Sequence, residues 1–159
     1  MKAIAIILAR GGSKRIPRKN IKNFCGQSII AYSIQAAQKS GLFDRIIVST
    51  DDEEIAEVSR QHGAEIPFMR PRELADDYTK TNAVVRHCLE WLVEQAQKPE
   101  YACCIYATAP FLQPEYLKQG FEALKNEKCS FAFSVTSYEF RVHGAFRILA
   151  GGSLERIVP

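Results

Sequence analysis

The sequence predicts an α/β fold, an open, doubly wound and mostly parallel sheet, and three observations carry the prediction. A continuous apolar run at 3–8 has the composition of a strand buried on both faces. Apolar residues at helical spacing recur between the later strand-like runs, so strands alternate with crossover helices. An adjacent pair, Gly11-Gly12, follows the first run, where open parallel sheets gather their ligand groups.

Each element has its own signal. Residues 28–39 carry Ile29, Ile30, Ser33, Ile34 and Ala37 at helical spacing, with Gly41 placed to stop the helix. A second strand is expected at 45–49. A helix over 52–61 turns Ile55 and Val58 inward and is followed by Gly63 and a third strand at 65–69. The helix at 81–96 repeats Val84, Val85, Cys88, Leu89, Leu92 and Val93, a broad apolar stripe whose role is packing. A fourth strand falls at 102–106. Pro114 stands at the first position of a helix with Leu117, Phe121 and Leu124 inward, and a fifth strand is expected at 131–135. Beyond 138 the pattern loosens into Phe146-Arg147-Ile148-Leu149 and 154–158 around Gly151-Gly152, which reads as a hairpin that stops abruptly.

Composition bounds the function. At 159 residues, 47% hydrophobic and 25% charged, the chain has the makeup of one globular domain, without internal repeat, low-complexity segment or linker. The net charge of +3 is local, because 51–57 is strongly acidic while the basic residues concentrate near the glycine pair. That distribution argues against nucleic acid as a partner. No apolar run approaches the ~20 residues of a membrane span, so no membrane partner is expected. Five cysteines, an odd number without zinc-type spacing or a leader peptide, point to reduced thiols in the cytoplasm.

The segment 8–20, Leu-Ala-Arg-Gly-Gly-Ser-Lys-Arg-Ile-Pro-Arg-Lys-Asn, has the makings of a phosphate-binding turn, the alternative being a solvated basic loop. Gly11 and Gly12 are expected at positive φ with bare amides facing a ligand, and Ser13 adds a hydroxyl donor. Arg10, Lys14, Arg15, Arg18, Lys19 and Lys22 follow one another with no acid between, so an anion would meet converging positive charge. The glycine spacing matches neither a P-loop nor a dinucleotide turn. Pro17 bars a helix interior and keeps the cations on a loop. In a doubly wound sheet this loop converges with 50–51, 70–81 and 108–110.

The motif from Leu8 to Lys14, continued through Ile16-Pro17 and Lys19-Asn20, resembles the signature of the cytidylyltransferases that activate nine-carbon ulosonic acids. Ile47-Val48-Ser49-Thr50-Asp51, Arg70-Pro71 with Leu74-Ala75-Asp76-Asp77, and Thr108-Ala109-Pro110 extend the resemblance over essentially the whole chain. Within the family the likeness is greatest to the branch acting on pseudaminic acid, with the sialic acid (CMP-N-acetylneuraminate) synthetases as near relatives. The resemblance implies the Rossmann-like fold of nucleotide-diphospho-sugar transferases and transfer of CMP from CTP to the sugar acid, with release of pyrophosphate and help from Mg²⁺. It implies Arg10 and Lys14 as the catalytic cations on the triphosphate, with Gly11, Gly12 and Ser13 in the cradle. Lys19 and Asn20 would hold phosphate or nucleotide groups; Arg70, Asp77 and Thr81 are further nucleotide-site positions, and Thr79 is an equal candidate for the hydroxyl role. Tyr106 and Thr108 fall on the sugar side, where sialic acid synthetases tend to carry Gln-Pro-Thr-Ser-Pro instead of residues 106–110.

Family members run to roughly one and a half times this length, so the expected division is a nucleotide-binding domain at 1–137 and the start of a truncated C-terminal arm at 138–159. The missing part would supply a metal-binding aspartate, sugar-pocket residues and the homodimer arm. A catalytically incomplete nucleotide-binding or assembly fragment is therefore the competing reading. The metal ligands stay open: Asp51 and Asp52 suit a helix cap better than Mg²⁺, and Asp76-Asp77 lie in a loop. His62 and His143 have no nearby metal-type partner, and His87 reads as a surface or satisfied histidine. Tyr32 and Trp91 read as packing, no Gly-x-Ser-x-Gly elbow supports a hydrolase, and no Gly-x-Gly-x-x-Gly supports an NAD enzyme.

Overall fold

The computed structural model describes residues 2–126, 129–137 and 146–156. In chain order the elements are β1 (Ala3–Leu8), β2 (Asn23–Phe24), β3 (Gln27–Ser28), α1 (Ile29–Ser40), β4 (Arg45–Ser49), α2 (Glu53–Gln61), α3 (Thr81–Glu94), β5 (Tyr101–Tyr106), α4 (Pro114–Asn126), β6 (Phe146–Ile148) and β7 (Leu154–Arg156). Short 3₁₀ turns lie at Lys19–Ile21 and Arg72–Leu74.

The apolar run at 3–8 is buried because it is the centre of the sheet. The order is β4-β1-β5, all parallel, with Leu8 opposite Ser49 on one side and Tyr106 on the other. One face of β1, Ala5 and Ile7, packs with Ile30 and Ile34 of α1, Ile55 of α2 and Leu117 of α4. The other, Ile4 and Ile6, packs on Cys88 and Leu92 of α3. Helices on both faces make the fold doubly wound, and each fully buried isoleucine contributes roughly 1.5–3 kcal/mol of transfer free energy. From β1 the chain crosses to β4 and then returns past β1 to β5, so the strand order reverses between β1 and β5. The crevice beyond their carboxyl ends is where such folds bind ligands.

Two expectations change, and one element is new. Residues 65–69 do not form a strand: Glu65 makes a single parallel bridge to Ile47, its N–H donating to the Ile46 carbonyl at 2.8 Å, and Pro67 then removes the next ladder donor. Residues 131–135 are irregular; Phe131, Phe133 and Val135 are 72–81% exposed, and β5 has no described partner on its outer edge. Alternation marks an apolar face but does not supply a neighbour to pair with. The β2–β3 hairpin was not expected, because two-residue strands are shorter than any periodic signal. Its turn sets Cys25 at φ 47° and Gly26 at φ 95°, with Asn23 Oδ1 accepting the Gly26 N–H at 3.2 Å.

The four long helices sit within two residues of their expected bounds, and Pro114 does open α4. The tail hairpin is present as the antiparallel pair β6–β7. The division expected at 137/138 lies outside the described residues, as do His143 and residues 157–158. Among the described residues no helix is long and apolar enough to cross a membrane.

Candidate functional site

The cleft at the carboxyl ends of β1 and β5 has a volume of about 240 Å³. Arg10, Lys19, Asn20, Arg70, Asp77, Thr79, Thr81, Tyr106 and Thr108 line it, which brings most of the sequence-predicted residues into one place. Leu8, Leu74, Asp76, Val84 and Ala107 complete the wall. Sequence reasoning passed over Leu74 and Val84 because an apolar residue in a loop or on a helix carries no chemical signature.

The basic loop after β1 is shaped differently from expectation. Neither Gly11 nor Gly12 is at positive φ. Gly11 is required by close approach, since a Cβ there would lie 2.7 Å from Asp52 Oδ2 and 2.9 Å from Asp52 Cβ. Its amide is not bare, because the N–H donates to Asp51 Oδ1 at 3.0 Å. A Cβ on Gly12 would meet nothing within 4 Å, so Gly12 leaves open space beside the loop. The Ser13 N–H donates to the Gly11 carbonyl at 2.9 Å. The Gly12 N–H and the Ser13 hydroxyl make no hydrogen bond among the described residues, which leaves them as available donors. Gly11, Gly12, Ser13 and Lys14 stand beside the cleft and do not line it.

Asn20 is buried and donates through Nδ2 to the Arg10 carbonyl at 2.8 Å, fixing the loop at the cleft mouth. Arg18, at φ 54°, forks onto Asp52 at 2.5 and 2.8 Å and also pairs with Glu54. Asp52 caps α2 at the same time, accepting the Ile55 N–H at 3.0 Å. The expected cap at Asp52 is thus present, and the Arg18 hydrogen bonds together with that cap hold its carboxyl below the usual carboxylate range. Arg18 Nε is buried without a partner, a cost that the fork on Asp52 offsets.

Arg70 forms the rear wall. It is 6% exposed, and its guanidinium donates from Nε to Ser49 Oγ at 3.0 Å and from Nη2 to the Ser49 carbonyl. Its own N–H donates to the Thr50 carbonyl at 2.7 Å. Burial pulls its pKa down from the ordinary arginine value, against the attraction of Asp51. Nη1 makes no hydrogen bond among the described residues, and Arg70 lines the cleft.

The positive charge of the loop is matched by acids from other loops. Arg10 pairs with Asp77 at 2.6 Å and donates to the Asp76 carbonyl at 2.6 Å; Lys14 reaches Asp77 at 2.5 Å. Lys19, Arg15 and Lys22 make no ion pair among the described residues. Asp76 accepts the Tyr78 and Thr79 N–H groups at 3.0 and 2.6 Å, and Thr79 donates its hydroxyl to the Glu73 carbonyl at 3.2 Å. Thr81 Oγ1 is 3.3 Å from the Tyr106 hydroxyl.

Other candidates are quiet. Among the described residues no three His, Cys, Asp or Glu side chains converge on a metal position. Of the two readings for His87, surface or satisfied, the second does not hold: the ring is half-buried against Phe68 with its Nδ1 buried and unpartnered. Tyr32 and Trp91 pack on Phe24 and Phe68. Cys25, Cys88, Cys103 and Cys104 form no disulfides, and burial pushes the Cys88 and Cys103 thiols up to about 11.

A family model described as cytidylyltransferase matches residues 4–144. The chain belongs to that family. A pseudaminic acid cytidylyltransferase of Campylobacter jejuni is 48% identical over 146 residues, covering 92% of this chain and 63% of that protein. An N-acylneuraminate cytidylyltransferase A of Danio rerio is 38% identical over 131 residues, 82% of this chain and 29% of its own length. The chain thus spans less than two thirds of these relatives. A CMP:2-keto-3-deoxy-manno-octonic acid synthetase, solved in complex with CTP, superposes at a TM-score of 0.66 and 18% identity, over 81% of this chain and 49% of that one. At that identity the likeness is one of fold, and it agrees with the doubly wound sheet described above.

Proposed function

We propose that these residues form the nucleotide-binding part of a CTP-dependent transferase that makes CMP-ulosonic acids, with pseudaminic acid as the sugar. The observation that carries the reading is the 48% identity to the Campylobacter jejuni relative over 92% of this chain. The sugar's anomeric oxygen attacks the α-phosphorus of CTP, forming a new P–O bond. The bond from that phosphorus to the oxygen bridging to the β-phosphate breaks, pyrophosphate departs, and the hydroxyl proton passes to solvent. Such chemistry needs positioning and neutralisation of phosphate charge, with no covalent nucleophile.

Arg10 and Lys14 supply that charge to the outer phosphates, with the Gly12 N–H and Ser13 hydroxyl as neighbouring donors. Lys19 meets phosphate directly, while Asn20 acts through the Arg10 carbonyl and is a positioning residue. Arg70, Asp77, Thr79 and Thr81 border the nucleotide, and Tyr106 and Thr108 face the sugar. A bound Mg²⁺ would add charge neutralisation at the phosphates, and among the described residues no three His, Cys, Asp or Glu side chains converge on a position for it. The same reading assigns a cytoplasmic homodimer.

N-acetylneuraminate is the second candidate sugar, supported by the Danio rerio relative. Pyrophosphate release with CTP and each sugar acid tests both. Faster release with pseudaminic acid is expected; faster release with N-acetylneuraminate reverses the assignment. Binding of CTP without release assigns these residues nucleotide binding alone.

A further inference from the structure

Both cations assigned above to the triphosphate close on one carboxylate. Arg10 Nη2 donates to Asp77 Oδ1 at 2.6 Å, and Lys14 Nζ lies 2.5 Å from Asp77 Oδ2, one cation to each oxygen. We propose that Asp77 stands in for the outer phosphates of the nucleotide, and that its displacement sets selectivity for polyphosphate over monophosphate ligands. The proposal rests on the phosphate-binding role given to the basic loop.

A carboxylate bridging an arginine and a lysine offers the same acceptor oxygens as a phosphoryl group but less charge. A terminal di- or triphosphate carries enough charge and enough oxygens to take both cations from Asp77. A lone α-phosphate, nearer the nucleoside, exchanges one weak partner for another. Lys14 and then Arg10 hold the Asp77 carboxyl below the ordinary carboxylate range, so it is anionic at neutral pH.

The segment bearing Asp77 keeps its shape without Arg10. Asp76 Oδ1 ties the Tyr78 and Thr79 amides, and the Thr79 hydroxyl reaches the Glu73 carbonyl. Arg10 Nη1 adds two bonds across the gap, to the Asp76 carbonyl at 2.6 Å and to the Ala75 carbonyl at 3.5 Å. Taking Arg10 away therefore lets the turn withdraw as a unit. The cleft between the two loops is about 240 Å³, below the ~300–1,000 Å³ of ordinary small-molecule sites. Arg10 and Asp77 both line it, so parting them widens it.

Calorimetric titration of the whole chain and of its Asp77→Asn variant with pyrophosphate, CTP, UTP and CMP in metal-free buffer tests this. The variant is expected to bind pyrophosphate and CTP roughly 3- to 10-fold more tightly, the scale of two exposed ion pairs, with CMP unchanged within about twofold. The gain should vanish when Arg10→Ala is added, and Asp77→Glu should behave like the parent chain. Where the Asn variant does not fold, Asp77→Ser reads the same ratio. Unchanged or weaker pyrophosphate binding, or none by either protein, overturns the proposal. The pyrophosphate arm is independent of the base: if CTP binds no better than UTP, the cytidine reading fails while the pyrophosphate ratio still judges Asp77.

Discussion

Arg70 and Arg10 line the same cleft, yet one is buried against a strand and the other sits in a part-exposed ion pair. Arg70 is buried and donates to Ser49, a fully buried residue on the strand next to β1, whereas Arg10 is about one third exposed and pairs with an equally exposed carboxylate. A buried guanidinium cannot leave its acceptors without stranding them, while an exposed ion pair is worth little and re-forms with any better anion. Burial therefore ties Arg70 to the strand as well as to the cleft and, on the proposed reading, leaves Arg10 to binding.

The largest effect should fall on the buried one. Arg70→Leu leaves the Ser49 hydroxyl and carbonyl without their donor and should cost roughly 2–4 kcal/mol, read as a lower urea midpoint with unchanged slope. Arg10→Ala should change stability by less than about 0.5 kcal/mol, yet weaken CTP roughly 10- to 100-fold and CMP far less. Equal losses for CTP and CMP would misplace Arg10, and a stability loss matching that of Arg70→Leu would dissolve the comparison.

The two glycines sharpen it further. Gly11→Ala drives a Cβ into Asp52, 2.7 Å from Oδ2 and 2.9 Å from Cβ, and should destabilise by roughly 1–3 kcal/mol. Gly12→Ala enters open space and should leave the melting temperature nearly unchanged. Thermal unfolding of both variants decides the matter, and similar losses at the two positions would mean that the loop is uniformly tight.

The sequence made the sheet legible wherever burial is repeated along an element. The run at 3–8 and the stripe of α3 record their surroundings residue by residue. The strand expected at 131–135 shows the limit: Phe131, Phe133 and Val135 alternate correctly, but pairing depends on an edge elsewhere in the chain. At 65–69 one proline outweighed the apolar pattern. The site was legible through topology, which carries the loops at 10–20, 70–81 and 108 to one crevice. Its charge state was not, because the carboxylates that occupy Arg10 and Arg18 lie 67 and 34 residues away along the chain. The glycine pair reads in sequence as two positive-φ residues, but neither is: Gly11 is required by its close approach to Asp52, and nothing crowds Gly12.

The smallest effect lies in the Arg18–Asp52 fork, which joins the basic loop to the start of α2. Arg18 lowers the Asp52 pKa, and the unfolded chain has the ordinary value near ~3.9. The depressed group contributes stability above the unfolded pKa, and that contribution is lost as pH falls through the lower folded value. Arg18→Met removes the pair while keeping a side chain at φ 54°, so any backbone strain there is common to both proteins. The parent should exceed the variant by no more than about 1 kcal/mol at pH 7, since Arg18 is 40% exposed on its side chain. The gap should close progressively below pH ~4 and shrink in high salt. It should not reverse, because Asp52 still caps the Ile55 N–H in both chains. Melting curves from pH 7 to pH 2.5 measure it, and a gap that stays constant across that range would show that Arg18 acts by packing its stem and not through its charge.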